Sequence, residues 1–390
     1  MSPSTEAVQE SWSAIERGRR RRPVEYVVER GIFLVSLSAI LMVFLIFLFV
    51  GREGLPVLLG RQTSAALAEV IPVADMDKTP PAKLQRYLGL TGTQFQEMDR
   101  ETKLELMTLK AEGAQTLGKE KDARLNTLEW RYLLFPYQWT GYDRPEAIWQ
   151  PVSTIHKYNI LPLLIGTLKA TLVALLFSVP VSLAAAIYVS QLAHPSHKEW
   201  MKPAIEMLSG IPSVVLGFFA LLVMASFLQP LFGYESRLNA FVAGLALGIA
   251  IIPVVFSISE DALTSVPPAY KQAALALGST PWQAAWKVIL PAAVPGVCAA
   301  VVLGFGRAIG ETMIVLMASG NARIVSASLF DSTRTITATI AAELAETVFG
   351  EHHYRMLFLL GALLFAATFL SNLLATRIMT GLKARMEGRA

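Results

Sequence analysis

Mostly apolar runs of membrane-crossing length recur along the chain, separated by polar stretches. An α-helix rises about 1.5 Å per residue, so roughly 20 apolar residues cross a hydrocarbon core of about 30 Å. The run from Gly31 to Val50 is uncharged and stops before Arg52. Runs from Leu161 to Val189, Leu208 to Leu228, Ala240 to Ile258, Val288 to Met317 and Met356 to Ile378 predict further spans, six in all. The first run follows a basic stretch, as a signal peptide would. It is too long for such a segment and lacks a small-residue cleavage site, so it reads as a retained anchor.

One region breaks the pattern. Residues from Gly51 to Asn159 are polar and mixed in charge, and lie between the first two spans. Asp99 to Leu128 reads as helical, with Leu104, Leu106, Met107, Leu109, Leu117, Leu125 and Leu128 among Glu and Lys. The stretch from Trp130 to Trp149 is rich in rings, including Tyr132, Phe135, Tyr137, Trp139 and Tyr142. Such rings favour the headgroup level, where one end is apolar and the other wet.

Composition agrees with a membrane chain. Of 390 residues, 53% are hydrophobic and only 16% charged, and mean hydropathy is +0.47. A soluble domain carries about 25% charged residues, so one large soluble globule and a disordered chain are both excluded. A single cysteine excludes a disulfide scaffold. A net charge of +4 would suit nucleic acid only if the basic residues formed one patch. Instead Arg17, Arg19, Arg20, Arg21, Arg22 and Arg30 flank the first span, and Arg377, Lys383, Arg385 and Arg389 follow the last. By the positive-inside rule both termini are expected in the cytoplasm, with His194–Lys202 and Glu260–Lys287, while residues 51–159 lie outside.

Several motifs fail on inspection. Gly113-Ala-Gln-Thr-Leu-Gly118-Lys119-Glu120 nearly spells a P-loop, but Glu120 replaces the magnesium-binding hydroxyl and no strand precedes it. Gly304-Phe-Gly306-Arg-Ala-Ile-Gly310 is one residue too long for a dinucleotide fingerprint. Gly306 and Gly310 instead have the small-xxx-small spacing of close helix packing. His194 and His197 lack further ligands at zinc spacing, and no metal site is expected. Cys298 lies in an apolar run and reads as packing. With no nucleophile–base constellation, no catalytic residue is expected.

The segment after the fourth span carries clear helix punctuation. Ser265 can cap, Pro267 and Pro268 suit a first turn, and Gly278 suits a left-handed helix end. Thr280 and Pro281 restart a helix leading into the fifth span. Ala273, Ala274 and Ala276 have little bulk and would allow close approach to a partner, although an ordinary surface helix reads the same way.

The spacing Gln272-Ala273-Ala274, three residues, Gly278, nine residues, Val288, one residue, Leu290-Pro291 resembles the EAA loop of ABC-importer permeases. Gln272 replaces the family's Glu and Val288 its Ile. The resemblance implies a coupling helix that docks in a groove of a separate ATPase subunit.

Arg307 and Glu311 interrupt the apolar fifth run, four residues apart, and are expected to share a helix face and pair. A charge at bilayer depth costs at least about 2.5–3.5 kcal/mol, and such residues face a cavity or bundle interior. Two readings stand: an ion pair that locks helices, or an anion path. In the second, Arg307 offers planar donors, Glu311 keeps it from trapping the anion, and Thr312 adds a hydroxyl.

The string Gly304-Phe-Gly-Arg-Ala-Ile-Gly-Glu-Thr-Met-Ile-Val-Leu-Met-Ala-Ser-Gly-Asn321 is similar to a motif of phosphate-specific ABC permeases, of the PstC type rather than the PstA type. Gly166-Thr-Leu-Lys-Ala-Thr and Gly210-Ile-Pro-Ser213 also fit, and the resemblance covers residues 25–56 and 160–385. It implies an all-α integral membrane fold of six helices, the MetI-like type I importer permease, with an extended periplasmic insertion between helices 1 and 2. The expected organisation is a cytoplasmic N-terminus 1–30, a first helix 31–50, the insertion 51–159, a permease domain 160–378 with coupling loop 260–291, and a tail 379–390. The resemblance further implies a PstA-type second permease, an ATPase homodimer using ATP and magnesium, a periplasmic phosphate-binding protein and inner-membrane lipid, with no cofactor on this chain. It places Arg307 and Glu311 on the phosphate path. The insertion, longer than the family leads one to expect, reads equally as extra contact with the binding protein or as a variable element. A sulfate or molybdate permease of the same fold, or a membrane receptor or scaffold, are the alternatives.

Overall fold

The computed structural model describes residues 23–60, 71–90, 92–117 and 122–386. The basic residues Arg17, Arg19, Arg20, Arg21, Arg22 and Arg389, and the Gly118-Lys119-Glu120 end of the P-loop-like string, lie outside the described residues. The chain divides into two compact units, Met1–Glu53 and Gly54–Ala390.

The first long helix, α1 (Pro23–Leu59), contains the candidate span Tyr26–Val57. Its apolar side chains from Ile32 to Phe49 are exposed on every face, as suits a helix solvated by lipid.

In the second unit, the segment between the first two spans builds a small helical cluster: α2 (Pro81–Leu88), α3 (Gly92–Glu97) and α4 (Arg100–Leu117). Ile71, Met76, Leu84, Leu88 and Met107 form its core. Of the expected helix Asp99–Leu128, the described helical part is Arg100–Leu117, and Asp122–Arg124 forms a 3-10 turn. A short helix follows, α5 (Trp130–Leu134), then the antiparallel pair β1 (Trp149–Gln150) and β2 (Lys157–Tyr158). Asn159 Nδ2 donates to the carbonyls of Tyr132 and Phe135, and Ile160 N donates to that of Leu133. These bonds fix α5 beside the start of the second span. The expected headgroup belt holds only in part. Trp130 and Phe135 are exposed, whereas Trp139 and Trp149 are buried as core residues.

The remaining spans are α6 (Leu161–Leu192), α8 (Ser213–Phe232), α9 (Ala240–Thr264), α11 (Pro281–Gly310) and His352–Gly381, the last within α14 (His352–Met386). Shorter helices lie between them: α7 (Pro195–Met207), α10 (Pro268–Ala276), α12 (Met313–Ala318) and α13 (Ile336–Glu343). Among the described residues six helices thus have the length and apolarity to cross a membrane, as the sequence predicts. The third begins at Ser213 rather than Leu208, because Pro212 separates it from a 3-10 turn at Leu208–Gly210. The expected loop His194–Lys202 is largely helix α7, which His194 caps by accepting from the Ser196 N–H. Three spans contain a π turn: Tyr188–Leu192, Ala220–Met224 and Ala285–Ile289.

Helix α9 is central and packs on α6 and α11. In lipid the apolar effect gives helices no reason to associate, so close approach of small residues does the holding. A Cβ on Gly244 would meet Val173 at 2.5 Å, one on Gly296 would meet Ala262 at 2.4 Å, and one on Gly304 would meet Val255 at 2.7 Å. The expected pair Gly306 and Gly310 is not the contact. The nearest atom to a Cβ on Gly306 is 4.0 Å away, and Gly310 has no neighbour within 4 Å. At one end of the bundle, buried Glu260 of α9 holds Lys202 of α7 at 2.6 Å and Lys198 at 3.5 Å. The hydrogen bond to Glu260 raises the Lys202 ammonium above its ordinary range.

Candidate functional site

Helix α11 ends at Gly310, and Glu311 takes an extended conformation with φ −69° and ψ 136°. This overturns the expectation of one helix to Met317 with Arg307 and Glu311 on one face. The Glu311 carboxylate Oε1 instead accepts from the N–H groups of Thr312 (3.1 Å) and Met313 (3.2 Å), satisfying donors left open at the start of α12. The Glu311 carbonyl accepts from Thr337 Oγ1 of α13 at 2.8 Å. Thr312 Oγ1 donates to the Gly310 carbonyl at 3.3 Å. Glu311, Thr312 and Thr337 therefore meet at the break, while Arg307 stays one turn back on α11.

Arg307 is exposed, and among the described residues no ion pair or hydrogen bond engages it. Beside the break opens a groove of about 510 Å³ lined by Gly310, Thr312 and Thr337 with apolar residues of α13 and α14. Thr312 and Thr337 are its polar lining residues, and neither Arg307 nor Glu311 lines it.

The residues expected to form a coupling loop follow their punctuation except at Ser265 and Pro267. Pro268 opens α10, and Gly278 ends it at φ +85°, its N–H donating to the Leu275 carbonyl and that of Ser279 to Ala274. Thr280 and Gln283 form a reciprocal capping box and Pro281 stands at the first turn. Ser265 does not cap α10: its hydroxyl donates back to the Ala262 carbonyl at the end of α9, and Pro267 precedes the helix. Lys271 Nζ ties α10 to the end of α6 by donating to the Gln191 carbonyl at 2.8 Å. Gln272 and Ala273 face outward, Ala274 is buried, Leu290 is half-buried and Pro291 exposed. Tyr270, Leu275, Leu277, Trp282 and Trp286 add exposed apolar area around the turn.

Sequence spacing gives no sign of a buried polar cluster around Glu343. Buried Glu343, at the end of α13, accepts from Trp149 Nε1 (3.1 Å to Oε2) and pairs with Arg323 (3.0 Å), Arg334 (3.0 Å) and His353 Nε2 (3.3 Å). Burial alone would raise its pKa. The His353 hydrogen bond, the Arg334 charge, Trp149 and Arg323 outweigh burial and hold the carboxyl below its usual range. The partners lie 9 to 194 positions away, so no local pattern announces them. The one available sign is a carboxylate ending the apolar run Ile340-Ala-Ala-Glu343. Lys169 of α6 stands in the string Gly166-Thr-Leu-Lys-Ala-Thr, whose spacing does not announce its partners; its Nζ donates to the Ser326 (3.1 Å) and Ser328 (2.7 Å) carbonyls.

Residues 178–388, more than half the chain, match the family described as binding-protein-dependent transport system inner membrane component. The chain belongs to this family. It is a multi-pass membrane protein and an ABC-importer permease subunit. Similar proteins include a probable ABC transporter permease protein, YqgH, of Bacillus subtilis, 37% identical over 227 residues, covering 58% of this chain and 73% of the relative. The phosphate transport system permease protein PstC of Mesorhizobium japonicum is 34% identical over 256 residues, covering 61% and 77%. A solved structure of the MetNI methionine ABC transporter in an inward-facing conformation aligns at 18% identity and a TM-score of 0.44, covering 57% of this permease and 94% of that chain.

Proposed function

We propose that this permease is the PstC-type subunit of an ATP-driven phosphate importer in a bacterial inner membrane. Arg307 carries the reading: it is a guanidinium within a candidate span, exposed and, among the described residues, without a carboxylate partner. A charge left against lipid is costly, so this face must meet a polar cavity or a second subunit. A PstA-type permease closing over it would create a water-filled path in which the planar fork binds a tetrahedral oxyanion through paired N–H groups. The relatives named as phosphate permeases support the substrate, as does the string from Gly304 to Asn321.

Glu311 acts here as a shaped bend rather than a counter-ion. Its carboxylate is occupied by two amides and its carbonyl by Thr337, which leaves Arg307 free to exchange anions. At the other end, α10 and the exposed apolar side chains around Gly278 suit docking to an ATPase homodimer that uses ATP and magnesium. A phosphate-binding protein delivers the anion outside, ATP-driven closure opens the outward cavity, and hydrolysis resets it. In this arrangement both termini are cytoplasmic and residues 51–159 periplasmic. Moving an anion into a negative interior costs about 2.3 kcal/mol per charge per 100 mV, which is a physical reason to couple uptake to ATP.

The test is uptake of labelled phosphate by proteoliposomes containing this chain, the second permease and the ATPase, with the binding protein supplied. Uptake that resists sulfate and molybdate, and disappears in an assembled Arg307→Ala complex, would support the reading. Competition by sulfate or molybdate would move the substrate to that oxyanion. An assembled complex that transports none of them would overturn it.

A further inference from the structure

Helix α13 is held at both ends by side chains that belong to different parts of the fold. At its start, Thr335 Oγ1 accepts from the Ala338 N–H, the Ile336 N–H donates to Thr167 Oγ1 of α6, and Thr337 Oγ1 donates to the Glu311 carbonyl. At its end, Glu343 takes donors from the segment between the first two spans (Trp149), from the α12–α13 loop (Arg323 and Arg334) and from the first turn of α14 (His353). Thr337 and Glu343 are six residues apart, so roughly 9 Å of helix joins the two sets of contacts. A hydrogen-bonded rod of that length moves as one body.

We propose that Glu343 is a positioning residue for the anion path. Through α13 it fixes the bend at Glu311, and it makes the setting of that bend depend on the segment that carries Trp149. The inference rests on the phosphate-permease reading and deepens it. A buried carboxylate facing two guanidiniums is an expensive way to hold helices together, since apolar packing of similar volume serves stability as well or better. What an ionic hub adds is directional registry among three separate pieces of chain. Arg323 is only half-buried while Arg334 is buried, so the hub has one arm near the surface where a docking partner could shift it.

The experiment is a double-mutant cycle in the reconstituted transporter, using Glu343→Gln, Thr337→Val and the double variant. Trp149→Phe serves as a second probe that keeps the ring but loses the N–H. Glu343→Gln is expected to lower the maximal uptake rate about tenfold while the KM for phosphate changes little, because the anion's own ligands remain. ATP hydrolysis stimulated by the binding protein should persist, so fewer anions move per ATP. Trp149→Phe should give a smaller loss of the same kind. Sites this far apart with no shared partner ordinarily act independently. If α13 transmits position, the double variant is no worse than the poorer single one, and Glu343→Asp recovers part of the rate. Independent, multiplying losses would overturn the proposal. So would a Glu343→Gln complex that transports normally, or one whose loss merely tracks the amount assembled. If the wild type carries another oxyanion, the substrate reading fails and the same cycle run with that anion still decides the role of Glu343.

Discussion

A Cβ placed on Gly166 would stand 2.1 Å from the carbonyl oxygen of Arg334. The strand of chain that leads into α13 therefore lies directly on α6, close enough that only hydrogen fits between them. Gly166→Ala must push a backbone carbonyl, not a flexible side-chain tip. We expect a loss of about 1–3 kcal/mol, the usual cost of overpacking, read as a lower thermal midpoint of the detergent-solubilised chain.

Gly278 poses the opposite case. Nothing lies within 4 Å of its would-be Cβ, but its φ is +85°. Gly278→Ala should cost about 1–2 kcal/mol from the left-handed backbone alone, and Gly278→Asn less. The strain sits in the turn between α10 and α11, so ATP-coupled uptake should fall further than the thermal midpoint suggests.

Arg307 separates function from stability. It is exposed and unpaired among the described residues, so Arg307→Ala and Arg307→Lys should each leave stability within about 0.5 kcal/mol of the parent. Uptake should vanish in Arg307→Ala. It should be only partly retained in Arg307→Lys, which keeps the charge but not the planar pair of donors. A change in midpoint comparable to a core mutation would contradict this placement.

Glu343 gives the chain a signed response to acid. Its folded pKa lies below the ordinary value of 4.5, so its contribution to stability is complete above that value. The contribution is lost as pH falls through the lower, folded value. Thermal midpoints measured from about pH 7 to about pH 3 should drop more steeply for the parent than for Glu343→Gln, whose amide does not titrate.

Length and apolarity were enough to read six spans, and local punctuation was enough for the turn from Pro268 to Pro281. Both depend on neighbours within a few positions. The break at Gly310 was not legible, because Gly-Glu-Thr-Met continues an apolar run without a proline. What ends the helix is the pair of amides on Glu311 and the distant hydroxyl of Thr337. Reading Glu311 as the partner of Arg307 assumed a helix that does not continue. The contacts of Trp149 and Glu343 cross 194 positions, which no periodicity records. The small-xxx-small spacing at Gly306 and Gly310 pointed to the right helix but the wrong turns, since Gly296 and Gly304 face α9.

The π turn at Ala285–Ile289 sits between the capping box at Thr280 and the guanidinium at Arg307. Each α-helical residue advances the chain by about 100° around the axis, and a π turn absorbs one residue beyond the regular count. The span can therefore carry that residue without turning Arg307 relative to the loop below it. Deleting one residue within the turn would restore a regular helix and leave Arg307 close to its present direction, whereas deleting one from the regular turns between Ile289 and Arg307 would swing it by about 100°. The compass bearing of the charge is thus buffered by a five-residue irregularity nearly twenty positions upstream.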